Sequence, residues 1–174
     1  MKDWIANKIE EENQIVAKYP FLRLRGINGT VDIESEFPMI GLEIPNGWNK
    51  LFYQMCSDIK PILEEEGVIN DFYFIQVKEK YNFMRCYSNR VTSQRVEDIV
   101  ARYEQMACYI CAQCGKPAIY EASDYILSFC DDCWKDYARY DKGKKIEFKS
   151  FYEKTISFKD EWNRYIKENG YDTV

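Results

Sequence analysis

The stretch Cys111-Ala112-Gln113-Cys114-Gly115, closing at Ser128-Phe129-Cys130-Asp131-Asp132-Cys133, carries two C-x-x-C pairs with 15 residues between them, from Gly115 to Phe129. Four thiolates in that pattern are the ligand set of a tetrahedral, all-cysteine zinc site. A C-x-x-C turn lets both sulfurs face one ion while nearby backbone amides donate to them, and Gly115 relieves the tight turn after Cys114. Sulfur ligation alone also admits an iron–sulfur cluster, and a C-x-x-C pair can serve as a redox dithiol, but paired motifs at this separation are commoner for zinc. Four protein ligands fill a tetrahedral shell. The expected cofactor is therefore one Zn2+, held by Cys111, Cys114, Cys130 and Cys133 in a structural role.

Between the pairs, Ala118 to Phe129 reads as a β-hairpin turning at Glu121 to Asp124. Cys130 to Lys135 reads as the first turn of a helix, with Asp131 and Asp132 where the helix dipole favours acids. Knuckle, hairpin and helix, with the second pair at the helix start, resemble a treble-clef zinc finger. Cys108, three residues before Cys111, could compete as a ligand, but reads better as the last turn of the helix feeding the knuckle. Cys56 and Cys86 read as buried small hydrophobes. The zinc-deaminase pattern is absent, because no His-x-Glu or Cys-x-Glu precedes a Pro-Cys-x-x-Cys.

Composition narrows the chemistry further. The 174 residues include seven Cys and no His, so Ser-His-Asp and Cys-His nucleophile pairs, His-Glu-x-x-His metalloprotease sites and imidazole proton shuttles are excluded. With 24 Lys+Arg against 29 Asp+Glu, the net charge is −5, and nucleic-acid binding would need a local basic patch. No apolar run reaches the roughly 18 residues of a membrane span. The opening Met1 to Asn13 becomes charged too early for a secretory signal, and Glu10 to Glu12 argue against a transit peptide, so a cytoplasmic location is expected. An odd cysteine count in that setting favours metal over disulfides. Aromatics are dense at 16% of the chain; most should be core, and a surplus of Tyr and Trp also suits a protein-binding face.

The remaining elements are read from apolar spacing. Helices are expected over Asp3 to Tyr19, stopped by Pro20; from Asn46, as N-cap, through Leu63, with Pro61 kinking or ending it; from Ser93 to Ile110; and over the last segment, where Phe158, Trp162, Tyr165 and Ile166 share a face. Phe21 to Arg25 alternates as a strand does. Phe72 to Val77 and Phe83 to Tyr87 should pair as a hairpin turning at Tyr81-Asn82, with Arg85 and Tyr87 on one face and Met84 and Cys86 on the other. A further strand is expected over Ile146 to Phe151. The fold class expected is α+β, antiparallel hairpins packed with amphipathic helices plus a small treble-clef-like zinc module. It divides into a core region 1–107, a zinc module 108–140 and an extension 141–174 that packs on the core.

Weaker signals lie around these. Lys135, Arg139, Lys142, Lys144, Lys145 and Lys149, interleaved with aromatics, could meet nucleic acid or an acidic partner, although Asp136, Asp141, Glu147 and Glu153 dilute them. The alternating charges of Gln76 to Lys80 are explained by cross-strand pairing with Arg85. Glu34, Glu36 and Glu43 read as surface acids.

Gln76-Val77-Lys78-Glu79-Lys80-Tyr81, then Met84-Arg85-Cys86-Tyr87, preceded by Pro45-Asn46-Gly47-Trp48 and followed by Cys111-x-x-Cys114-Gly115, resembles a group of uncharacterised bacteriophage and prophage proteins over roughly residues 19–133. The chain departs from that pattern at Asn82, where Gly is usual, and at Cys86, where an aromatic is usual. The resemblance implies a small α+β protein with an integral zinc module and a mobile-element origin, which would place it in the bacterial host cytoplasm. It transfers no catalytic residue. The expected function is that of a non-enzymatic, zinc-stabilised macromolecule-binding protein with a protein partner, acting as an inhibitor of a host system. The alternative is a nucleic-acid-binding zinc protein using segment 135–154.

Overall fold

Charged and apolar residues alternate at helical spacing in Lys2–Lys18, which forms helix α1 with Val16 buried. Pro20 ends it as expected, but the next element is a 3-10 turn over Pro20–Leu22 and not a strand. The reason is burial: Phe21 and Leu22 are adjacent and both fully buried, which the alternating faces of a strand forbid. Only isolated bridges come after it, Arg23 to Met39 and Arg25 to Val31, with Gly29 at φ 77° in the turn between.

Strand β1 is short, Leu42–Glu43. A 3-10 turn over Asn46–Trp48, with no side-chain cap from Asn46, leads into helix α2, Asn49–Glu65. Helix α2 continues past Pro61. The buried stripe of Leu51, Phe52, Met55, Cys56, Ile59 and Leu63 spans both sides of the proline. Each such side chain contributes about 1.5–3 kcal/mol, which together outweigh the roughly 3 kcal/mol of a broken helical turn. Gly67, at φ 71°, closes the helix by donating to Glu64 O.

Strands β2, Phe74–Lys80, and β3, Phe83–Ser88, form the expected antiparallel hairpin, turning at Tyr81 and Asn82, both at positive φ. A bulge between Phe74 and Gln76 shifts the phase of β2. Phe72 and Phe74 point inward, Ile75 is pushed outward at 60% exposure, and Val77 returns to the core, so Ile75 and Val77 do not share a face as strict alternation would have them. Strand β1 joins β2 in parallel, giving the sheet order β1-β2-β3. Helix α3, Gln94–Met106, packs on α2 and along β3, and runs through a 3-10 turn at Ala107–Tyr109 into the first cysteine pair. Its start is held from another helix: Glu66, at the end of α2, accepts hydrogen bonds from Ser93 N, Ser93 Oγ and Thr92 Oγ1.

The second half is a small sheet of order β5-β4-β6, built from β4 Tyr120–Glu121, β5 Ser128–Phe129 and β6 Lys144–Lys145, with helix α4 over Asp131–Tyr137. Lys144 pairs with Glu121 and Lys145 with Tyr120. Helix α5, Lys159–Glu168, buries Trp162, Tyr165 and Ile166 against the main core, and Gly170 comes after it at φ 65°. Arg164 of α5 donates to Asp58 Oδ2 of α2 and to Tyr103 OH of α3, which itself donates to Asp58 at 2.6 Å. That triad ties the three helices together. This α+β architecture is seen in a computed structural model that describes residues 2–26, 28–32, 35–122, 126–137, 144–145 and 158–171. The expected strand over 146–151 lies outside the described residues. Among the described residues no helix is long and apolar enough to cross a membrane.

Candidate metal centre

The knuckle is shaped by backbone hydrogen bonds before any ion is considered. Cys111 N donates to Lys116 O at 2.7 Å and Gly115 N to Cys111 O at 3.0 Å, closing the first C-x-x-C turn, with Gly115 at φ 82°. Ala112 N donates to Ser128 O at 2.8 Å, which brings strand β5, and with it Cys130, beside the first pair. Cys130 immediately precedes α4 and Cys133 lies in its first turn, where Trp134 N donates to Cys130 O. The sulfurs of Cys111, Cys114, Cys130 and Cys133 consequently lie within 4.8 Å of one another. All four are free thiols.

The donor set fits a tetrahedral ion. With a metal–sulfur distance of about 2.3 Å, the edge of a tetrahedral thiolate shell is about 3.8 Å, and Cys114 Sγ stands 3.6 Å from Cys130 Sγ. Burial disfavours the Cys111 thiolate, but amide donation from Cys130, Cys114 and Gln113 outweighs it and lowers the thiol pKa. Burial, aided by the neighbouring Cys111, pushes Cys114 up to about 11, and burial with the same neighbour also raises Cys133. A cluster in which the Cys111 thiolate is stabilised while Cys114 and Cys133 resist ionising beside it calls for a cation. Lys116, bonded to Asp132 at 3.1 Å, is the nearby positive side chain; Asp132 first, then Cys130 and Cys114, raise its pKa. Among the described residues no other grouping of three or more Cys, Asp or Glu donors could hold a metal ion.

Cys108 is not among the four. Its Sγ donates to Gln105 O at 2.8 Å, and burial pushes its pKa up to about 12. Cys56 is fully buried in the main core and Cys86 is half-buried against it.

Four contacts seat the knuckle on the rest of the molecule, and the spacing of the cysteines discloses none of them. Gly47 N donates to Ala112 O at 2.9 Å, and the backbones are so close that a Cβ on Gly47 would stand 2.1 Å from Cys111 O and 2.7 Å from Gly115 N. Trp48 Nε1 donates to Ile110 O at 3.1 Å, and Tyr165 OH of α5 donates to Gly115 O at 2.8 Å. From the other side, the hairpin tip reaches in: Asn82 Nδ2 donates to buried Ser128 Oγ at 2.8 Å, and Ser128 Oγ donates to Cys108 O at 2.6 Å. The signal for the first contact was present in Pro45-Asn46-Gly47-Trp48, where a glycine before a tryptophan reads as a helix start and is in fact a backbone docking point. The module's own apolar packing is aromatic, with Tyr120 stacked on Trp134 and Phe129 on Tyr137 at 4.4 Å between centroids.

Of the basic segment, the described residues include Lys135, Lys144 and Lys145. Lys135 pairs with Asp131 at 2.6 Å and lies 3.9 Å from Asp132. Lys144 and Lys145 lie on β6, while Arg139, Lys142 and Lys149 lie outside the described residues. Glu43 accepts from Gln76 Nε2 at 3.0 Å, Glu36 is exposed, and Glu34 lies outside the described residues.

The chain matches no protein-family model, no curated protein and no solved structure.

Proposed function

We propose that this chain is a non-enzymatic binding protein whose four-cysteine module holds one Zn2+ for architecture. The observation that carries the reading is the convergence of Cys111, Cys114, Cys130 and Cys133 with every ligand position of a tetrahedral ion filled from the chain. Such an ion has no open position for water or substrate, so its free energy goes into folding. Zinc is preferred because an all-thiolate tetrahedral set at this spacing suits it, and the treble-clef reading is supported by knuckle, hairpin β4–β5 and α4 in that order. Elemental analysis of the purified full chain tests this directly. One zinc per chain is expected; iron with sulfide, or no metal at all, overturns it.

The partner in this reading is a protein in the host cytoplasm, met by a phage-derived chain acting as an inhibitor. It is supported by a groove of about 440 Å³ beside β3 and α3, floored by Phe74, Val96 and Val100 and edged by Ile75 and Tyr87. Ile75, Tyr87 and nearby Val91 are large side chains left 60%, 43% and 42% exposed, where a monomer ordinarily scatters its apolar groups. Capture experiments comparing the full chain with an Ile75→Glu/Val91→Glu variant test the partner. A protein retained by the first and lost by the second is expected, and identical captures refute the groove.

A further inference from the structure

The charges of the β2–β3 hairpin do not neutralise one another across the strands. The register sets Gln76 opposite Tyr87, Lys78 opposite Arg85 and Lys80 opposite Phe83. These six residues share the outer face, since Val77 and Met84 on the inner face are fully buried. The strand period sends Glu79, the acid between the two lysines, away from them; it lies opposite Met84, and its Oε1 accepts from Asn82 N at 2.8 Å. The pairing expected from sequence is thus overturned: the residue across from Arg85 is a second cation, at a separation where like charges repel.

Of the acids at the margins, one is engaged elsewhere and the other is shared between Arg85 and a backbone amide. Glu43 of β1 stands in register with Lys78, but its two oxygens take Gln76 Nε2 at 3.0 and 3.3 Å. Glu104 reaches Arg85 from α3 at 3.3 Å and also accepts from Cys86 N at 2.7 Å. Among the described residues, no ion pair within 4 Å involves Lys78 or Lys80. Each cation lies over a ring, Arg85 in addition to its ion pair: Lys78 over Tyr87 at 5.3 Å, Lys80 over Tyr81 at 5.7 Å and Arg85 over Phe83 at 4.8 Å. Tyr81 and Tyr87 are 70% and 43% exposed.

We propose that this outer face binds single-stranded nucleic acid, with Lys78, Lys80 and Arg85 on the phosphates and Tyr81, Phe83 and Tyr87 stacking on bases. Two lysines two residues apart on a strand are about 6.8 Å from each other, the scale of one extended nucleotide, and rings interleaved with cations are the general means of holding a single strand without reading its sequence. A duplex is disfavoured, because three cations on a chain of net charge −5 neutralise too few phosphates. An acidic protein would satisfy the lysines but leave the rings unused. Nucleic-acid binding is thereby placed on the hairpin and not on segment 135–154. This rests on the reading of the chain as a binding protein, and not on the metal.

Fluorescence anisotropy of the full chain with a short labelled oligothymidine or oligouridine tests it, with zinc content measured on the same preparation so that failure of the metal reading is seen separately. Expected is binding at low salt that weakens with a log–log slope of about −2, as for two or three neutralised phosphates. The double variant Lys78→Gln/Lys80→Gln should weaken it about tenfold or more and flatten the slope. Tyr87→Ala should weaken it about tenfold with the slope unchanged, because stacking is lost and charge is kept. Lys78→Gln should also raise the melting temperature, by removing the repulsion from Arg85, which separates a binding defect from a folding one. No binding at low salt overturns the proposal. So does polyglutamate competing as well as the oligonucleotide with Tyr87→Ala silent, which would assign the face to an acidic protein. A lowered melting temperature for Lys78→Gln likewise overturns it, by making the lysine structural.

Discussion

The main core and the cysteine module are organised by different physics. Among the described residues the main cluster buries 24 side chains, including Trp48, Phe21, Phe52, Phe72, Phe74, Tyr103 and Tyr165, with edge-on aromatic contacts such as Phe72 to Phe74 at 5.2 Å. The module's cluster has five, and two of those are cysteines and two are alanines. At about 25 cal/mol per Å² of apolar surface, the first can offset the entropy of ordering its chain, and the second, on so few side chains, cannot. The contrast assigns the work. Apolar burial folds the helices and the hairpin; in the reading proposed above, a bound metal folds the knuckle.

Metal removal is the largest effect that contrast predicts. Structural zinc in small modules binds with about 10–16 kcal/mol, far beyond what one phenylalanine and four small buried groups supply. Chelation or Cys130→Ser should abolish hydrogen-exchange protection over residues 108–122 and 126–137 while protection in α2, β2 and β3 persists. Exchange resolved by residue reads both at once. Simultaneous loss in both regions would break the comparison, and protection unchanged in both would refute a structural metal.

Gly47 tests the seam between the regions. Its missing Cβ lets two backbones touch, so Gly47→Ala should cost about 3 kcal/mol, the upper part of the range for overpacking. A side chain there would meet Cys111 O, Gly115 N and Ala112 C rather than a flexible tip. Gly41→Ala, where an added Cβ meets nothing within 4 Å, is the matched control, expected within about 0.5 kcal/mol of the parent. Urea midpoints rank the pair. A cost for Gly47→Ala no larger than the control's would mean the knuckle is free to shift off the core.

The boundary between what was legible in the sequence and what was not runs along this seam. The four ligands were legible because C-x-x-C spacing is local and its chemistry admits few readings. Helix α3 and the face of α5 were legible because Val96, Tyr103 and Met106, or Trp162, Tyr165 and Ile166, repeat at the helical period and face one core. Phe21 to Arg25 misled because alternation of apolar and basic residues is a strand signal, yet burying both Phe21 and Leu22 required a turn. Pro61 left a kink and a stop both open, and the buried stripe on its two sides carries the helix on to Glu65. The hairpin charges misled because alternation in sequence is not alternation on a face: Glu79 is Lys78's neighbour in the chain and stands on the other side of the sheet. The supports of the knuckle, Gly47, Trp48, Asn82, Ser128 and Tyr165, are separated by tens of residues, and no periodicity links them.

Asn82 sharpens the comparison at smaller scale, since it carries the hairpin's only described side-chain hydrogen bonds to the module. Asn82→Ala removes the bond to Ser128 and keeps a φ of 63° that alanine tolerates poorly, for a combined cost of about 2 kcal/mol. Asn82→Gly removes the same bond but relaxes the backbone, so it should cost about 1 kcal/mol or less. Thermal melts of the two variants separate turn conformation from docking. Equal costs would mean that the left-handed backbone carries no strain for alanine, and no cost for either would mean that the tip does not hold the module.

The smallest effect concerns pH and lies wholly on the core side. Burial raises the Glu104 carboxyl above its ordinary value of 4.5, against the opposing pull of the Cys86 amide and Arg85. A raised folded value means that the native state holds this proton more tightly than the unfolded chain does. The contribution to stability is therefore fully present below about pH 4.5 and is lost as pH rises through the folded value. Gln at 104 keeps an oxygen for Cys86 N and carries no charge to bury, so its stability should not fall over that window. The melting temperature of Glu104→Gln relative to the parent should accordingly improve between about pH 4 and pH 7, whatever its absolute value. Because the variant and the parent carry the same knuckle, acid loss of metal moves both equally and leaves their difference as the readout. A gap that stays constant over this range would place Glu104 effectively in solvent, and the edge of β3 would then lack the buried carboxylate that now closes it.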